Sequence, residues 1–123
     1  MPWHTIVHSD LPIIETCYSG NMTKFELADA IHETLALGQT HNRTRFLGDC
    51  TTLSGGHTIF DLYSLAKEIP PNRAAYSLQE AIILPIALSF IENINFWETV
   101  ALKRGFKVRI FRDRQKALDW LMT

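Results

Sequence analysis

The stretch GDCTTLSGGHTIF, residues 48–60, gathers the side chains of this chain best suited to chemistry: Asp49, Cys50, Thr51, Ser54, His57 and Thr58, with Gly55 and Gly56 between them. Cys50 and His57 are the raw material of a nucleophile and its base, because a thiolate needs a proton acceptor or a positive dipole to form at neutral pH. An aspartate at the end of a β run, followed by a glycine-rich turn into a helix, also stands where open α/β sheets bind ligands. The N-terminus of such a helix offers free N–H groups to an anion. The same residues have architectural uses: Asp49 hydrogen-bonds the turn, Gly55 and Gly56 permit positive φ, and Thr58 is the N-cap. The architectural reading is preferred, since no third residue to orient His57 is evident and neither GxxxxGK[ST] nor GxGxxG is present. The expectation is therefore a protein that binds without catalysing, with a hydrolase or phosphate-handling enzyme built on Asp49, Cys50 and His57 as the rival.

No metal or cofactor is expected. His4 and His8 on one strand stand about 13 Å apart at ~3.3 Å per residue, too far to share an ion, and His32 and His41 fall on a helix exterior and a loop. Cys17 and Cys50 lack CxxC spacing and read as buried thiols. Seven cations, Lys103, Arg104, Lys107, Arg109, Arg112, Arg114 and Lys116, crowd the C-terminal region. They read first as a wet strand face and helix ends, and second as a patch for an acidic partner or phosphorylated headgroup.

The elements that must position these residues follow from composition and periodicity. With 123 residues, 46% hydrophobic, 20% charged and a net charge of -1, the chain reads as a single globular domain, residues 1–123, without the field that recruits nucleic acid. The start MPWHTIVHSD has no signal-peptide pattern and the longest apolar run, Ala81 to Ile91, is broken by Pro85, so no membrane segment and a cytoplasmic location are expected.

WHTIVHS (3–9) and PIIETCYSG (12–20) read as a hairpin. Thr23 and Glu26 form a capping box for a helix that carries Leu27, Ile31 and Leu35 on one face, with Gly38 as its positive-φ stop. RFLGDC (45–50) is a strand covered on both faces, and residues 58–69 a second helix ended by Pro70-Pro71. Residues 80–85 are preferred over 74–78 as the fourth strand. A helix then carries Phe90, Ile94, Trp97 and Ala101, KVRIF (107–111) is a strand with one wet face, and Asp113 caps a last helix burying Ala117, Leu118 and Leu121. The order ββαβαβαβα demands a mixed, mainly parallel sheet with helices packed against it. Ile86, Leu88, Phe90 and Ile91 follow Pro85 where polar turn residues are expected, so they must be covered as core, as a homodimer surface, or as the lining of an apolar pocket.

The run FWETVALKRGFKVRIFRDRQKALDWL (96–121) resembles the C-terminal signature of SpoIIAA-like proteins of the STAS domain superfamily: a helix ending in Arg-Gly, a strand ending in Phe, and an Ala-x-x-Trp-Leu helix. Gly20 to Glu26 and Phe46 to Asp49 fit the same pattern. The resemblance spans nearly the whole chain and implies a α/β binding module, engaging a protein partner or a small apolar or anionic ligand at the C-terminal edge of the sheet. The ligand- or partner-binding residues expected, from the turn, the apolar loop and this resemblance together, are Asp49, Thr51, Ser54, Gly55, His57, Thr58, Ile86 and Phe90. In the anti-anti-sigma branch a phosphoacceptor serine lies in an Asp-Ser-x-Gly turn. Here GGHTIF stands in its place, leaving Thr58 as candidate phosphoacceptor and setting this chain apart from that branch.

Overall fold

The computed structural model describes residues 2–56, 61, 64–65, 78–83, 91–103 and 105–123. Within them, β1 (Trp3–Val7), β2 (Ile13–Asn21), β3 (Arg45–Gly55), β4 (Gln79–Ile83) and β5 (Lys107–Phe111) form one sheet in the order β1-β2-β3-β4-β5. The helices are α1 (Lys24–Thr40), α2 (Ile91–Lys103) and α3 (Arg114–Leu121). β1 runs antiparallel to β2, and every later neighbour pair is parallel. The mixed, mainly parallel sheet and its opening hairpin are as expected.

From β2 onward each parallel crossover moves one place in the same direction. Right-handed connections then put the crossover helices on one face of the sheet, and the tail helix α3 is left to cover the other. The two buried clusters follow that division. Trp3, Tyr18, Leu27, Ala30, Cys50, Ile82 and Val108 pack on the α1 and α2 side, with Phe96 and Trp97 against them. Ile13, Leu47, Ala81 and Ile83 pack against Ala117 and Leu121 of α3. Alternation along each strand decides which residue joins which layer.

α1 begins as its sequence dictates. Thr23 Oγ1 accepts from Glu26 N at 3.2 Å, and Glu26 Oε1 accepts from Thr23 N at 3.0 Å. Its end differs from expectation. Gly38 lies inside the helix, which runs on to Thr40, and the left-handed residue is Asn42 at φ 54°. Gly38 answers a packing need instead: a Cβ there would stand 2.7 Å from Phe46 Cζ and 2.9 Å from the Arg43 carbonyl oxygen. The buried stripe also includes Thr34, whose hydroxyl donates to Ala30 O at 2.7 Å. Its one proton is thereby spent, so Thr16 is the donor in the 2.6 Å Thr16–Thr34 contact.

β3 is longer than predicted. TTLSG continues the strand to Gly55, paired with β2 through Ser19↔Thr52, Gly20↔Leu53 and Asn21↔Gly55. Asp49 is therefore a mid-strand residue, level with the last residue of β4, its partner Ile83. The glycine pair does take positive φ, 144° at Gly55 and 94° at Gly56, and Gly55 O accepts from Met22 N at 2.6 Å. β4 at Gln79–Ile83 agrees with the preferred fourth strand. Most of the predicted second helix lies outside the described residues, although Asp61, Ser64 and Leu65 are helical.

Candidate functional site

On the α3 face, Glu15, Cys17 and Asp49 project side by side, because i and i+2 of β2 share a face and Asp49 is the register partner of Cys17. Glu15 is a carboxylate with only 3% of its side chain exposed, a placement that costs several kcal/mol unless the charge is matched. It is matched by a bidentate Arg114, whose Nη2 and Nη1 donate at 2.6 and 2.9 Å, and by His8 Nε2 at 2.8 Å. Burial is the largest single influence and pushes the Glu15 carboxyl up. The hydrogen bonds from Arg114 and His8 and the guanidinium charge together outweigh it and hold the pKa below the ordinary 4.5. Cys17 is pushed up to about 11 by burial and by the neighbouring Glu15 charge, so its thiol stays protonated.

Glu15, Cys17 and Asp49 offer ligand atoms within 4.8 Å of one another. Arg114 already supplies the positive charge there, 3.9 Å from Asp49 Oδ2 as well as paired with Glu15. The cluster is a charge lock between β2 and α3. Arg114 thus spends its charge on Glu15 while its side chain stays 47% exposed, and Lys103, Lys107, Arg109, Arg112 and Lys116 are exposed with it, as expected; Arg104 lies outside the described residues.

Of the residues singled out in 48–60, the described ones do not converge on one site. Asp49 Oδ1 accepts from Thr51 N at 3.0 Å and Thr51 Oγ1 at 2.7 Å, the local turn-type bonding expected of it. Cys50, the next residue, projects to the opposite face among the α1-side core and is 8% exposed. Burial, with the nearby Glu80 and Asp49 charges, drives its thiol far above the usual range. Ser54 is exposed and donates to Asn21 Oδ1 at 3.2 Å, and Gly55 is buried. His57, Thr58, Ile86 and Phe90 lie outside the described residues. Both cysteines are free, as predicted, though Cys17 is only partly buried.

The cavity of interest lies between the sheet, α1 and α2. One lobe of about 60 Å³ is walled mainly by Tyr18, Ile31, Leu35, Phe46, Trp97 and Phe106. A second of about 70 Å³ shares Tyr18, Ile31 and Trp97 and reaches Leu27, Cys50, Leu53 and Leu65. Each exceeds the ~10–15 Å³ that one water requires. Glu80 lines both lobes. Its carboxyl sits over Gly48, where a Cβ would be 3.7 Å from Glu80 Oε2. Its Oε1 accepts from Trp97 Nε1 at 3.2 Å, and no ion pair reaches it among the described residues. Burial pushes the Glu80 carboxyl up to about 7, against the smaller opposing effect of the Trp97 bond.

Sequence reasoning missed this group, although a signal was present. QEAII sets an acid next to a fully apolar strand core, and an acid in a sheet covered on both faces must be paired, protonated or at a site. The same signal marks Glu15 in IIETCYSGN.

The arrangement of one mixed sheet between two crossover helices and a tail helix is the SpoIIAA-like fold. The chain is similar over 97% of its length to 91% of an uncharacterized protein of the DUF3478 family with a SpoIIAA-like fold from Shewanella loihica PV-4, with 17% identity and a TM-score of 0.59. No family model matches the sequence, and no curated protein matches it. At that identity the likeness establishes the fold alone, in agreement with the resemblance read from residues 96–121. Among the described residues no helix is long and apolar enough to cross a membrane.

Proposed function

We propose that this protein is a non-enzymatic binding module whose ligand is small and largely apolar and occupies the cavity between the sheet, α1 and α2. One observation carries the reading: an aromatic-lined space, wide enough for more than water, has in its wall a carboxyl whose one partner among the described residues is the Trp97 indole. Apolar cavities with a few convergent polar groups and a perturbed titratable residue are where small molecules bind. The site stands on the α1 and α2 face, beneath the helices, whereas the resemblance had implied the carboxyl edge of the sheet.

The placement of Asp49 and Cys50 on opposite faces of β3, and the burial that keeps the Cys50 thiol protonated, support a role without covalent chemistry. Native Cys50 is accordingly expected to resist iodoacetamide at pH 8 and to react on urea unfolding, as followed by mass spectrometry. Rapid alkylation in the native state would revive the hydrolase reading.

The binding reading is tested with indole and benzyl alcohol as probes, following Trp97 fluorescence and the thermal midpoint. Saturable binding that raises the midpoint is expected, and Leu35→Trp, which extends a ring into the cavity, abolishes it while circular dichroism is unchanged. Absence of any saturable signal up to millimolar probe would reject the proposal.

A further inference from the structure

Among the described residues the cavity walls carry an acid and no base. Neither lobe is lined by a lysine, arginine or histidine among the described residues. Among the described residues the titratable groups that face Glu80 are Tyr18 on β2 and Cys50 on β3, and burial holds both in their neutral forms at pH 7. From α2 the facing polar group is the Trp97 indole N–H, a donor, and the β5 register partner of Glu80 is Val108. Glu80 Oε1 has the indole; Oε2 has no hydrogen bond from the described residues. Among the described residues an ionised Glu80 thus has one neutral donor in a mainly apolar wall, where a second carboxylate or a phosphate would meet repulsion. A ligand that carries positive charge would restore what burial took from the carboxylate. The walls suit the same ligand, since Trp97, Tyr18, Phe46 and Phe106 present ring surfaces that attract a cation.

We propose that the cavity selects a small lipophilic amine, whose ammonium pairs with Glu80 Oε2 while its apolar part lies among Tyr18, Phe46, Trp97 and Phe106. The inference rests on the binding reading above and narrows its ligand to one charge class. It reverses the anionic ligand that the family resemblance allowed. Because the pair needs the ionised acid, affinity for the amine falls as the pH drops below the Glu80 value of about 7, while affinity for a neutral ligand of the same shape does not follow that course.

The test uses the full chain and three probes of one shape: benzylamine, benzyl alcohol and benzoate, titrated calorimetrically at pH 8 and pH 5. Benzylamine is expected to bind about tenfold more tightly than benzyl alcohol at pH 8, a difference of about 1.4 kcal/mol. Benzoate is expected to bind most weakly, and the amine preference should collapse toward unity at pH 5. Glu80→Gln keeps an acceptor for Trp97 and is expected to lose the preference at pH 8 while still binding benzyl alcohol. The wild-type pH series decides the question alone if that variant folds poorly. Equal binding of amine and alcohol, or a preference for benzoate, overturns the amine assignment and leaves an apolar cavity standing. No binding of any of the three overturns both.

Discussion

At the scale of single residues, a buried acid and a half-buried one shift in opposite directions because their partners differ. Glu15 has the Arg114 guanidinium and His8, whereas among the described residues Glu80 has the Trp97 indole alone. For Glu15, with a folded pKa below 4.5, the stabilising contribution is present above that ordinary value and is lost as the pH falls through the depressed one. Arg114→Ala strands a buried carboxylate and should cost about 1–3 kcal/mol at pH 7, discounted from the usual buried-pair figure because Arg114 is 47% exposed. Urea unfolding is expected to show this cost shrinking in acid, and Glu15→Gln in the Arg114→Ala background to recover part of it, since a neutral amide needs no counter-charge. For Glu80, raised from 4.5 to about 7, the folded chain binds more protons than the unfolded one between those values, so stability falls as the pH rises through that window. Glu80→Gln should match the wild type near pH 4.5 and exceed it at pH 8 by on the order of 2 kcal/mol, allowing for water in the cavity. Equal pH profiles for the two proteins would remove the penalty assigned to the carboxylate.

At the scale of elements, α1 shows how packing overrides a local rule. Glycine after an apolar helical run ordinarily signals the stop, and replacing a glycine inside a helix with alanine ordinarily gains up to ~1 kcal/mol. Here the helix passes through Gly38 to let β3 approach, with Phe46 lying where a Cβ would be. Gly38→Ala should therefore destabilise by about 1–3 kcal/mol in thermal unfolding. A raised melting temperature would mean that the Phe46 ring yields freely. Local signals and outcome agree where nothing else competes for the residue, as at the Thr23–Glu26 box or the Asp113 cap, whose Oδ1 accepts from Gln115 N at 2.8 Å.

At the scale of the molecule, the parallel sheet, its antiparallel opening strand and a fourth strand near 80–85, observed at Gln79–Ile83, were legible because alternation and apolar runs report burial directly. The extension of β3 was not, because TTLSG has the composition of a turn and becomes strand only through its pairing with Ser19, Gly20 and Asn21. The cavity was illegible for a related reason. Tyr18, Phe46 and Trp97 each look like core on their own elements, and only the spacing of α1 and α2 over the sheet leaves room between them. The pairing of Arg114 was hidden because the residue stands amid six other cations. Its partner lies 99 positions earlier in the chain.

That long span has a kinetic meaning. Joining β2 to the start of α3 closes a loop of nearly the whole domain, an entropic cost met only after nearer segments have found one another. The guanidinium clasp should then form on the native side of the folding barrier. In a chevron plot, Arg114→Ala is expected to steepen nothing in the refolding limb and to speed unfolding by close to its full equilibrium effect, giving a φ-value near zero. The last clasp to fasten would also be the first to open, so the tail helix sets how long a folded molecule lasts.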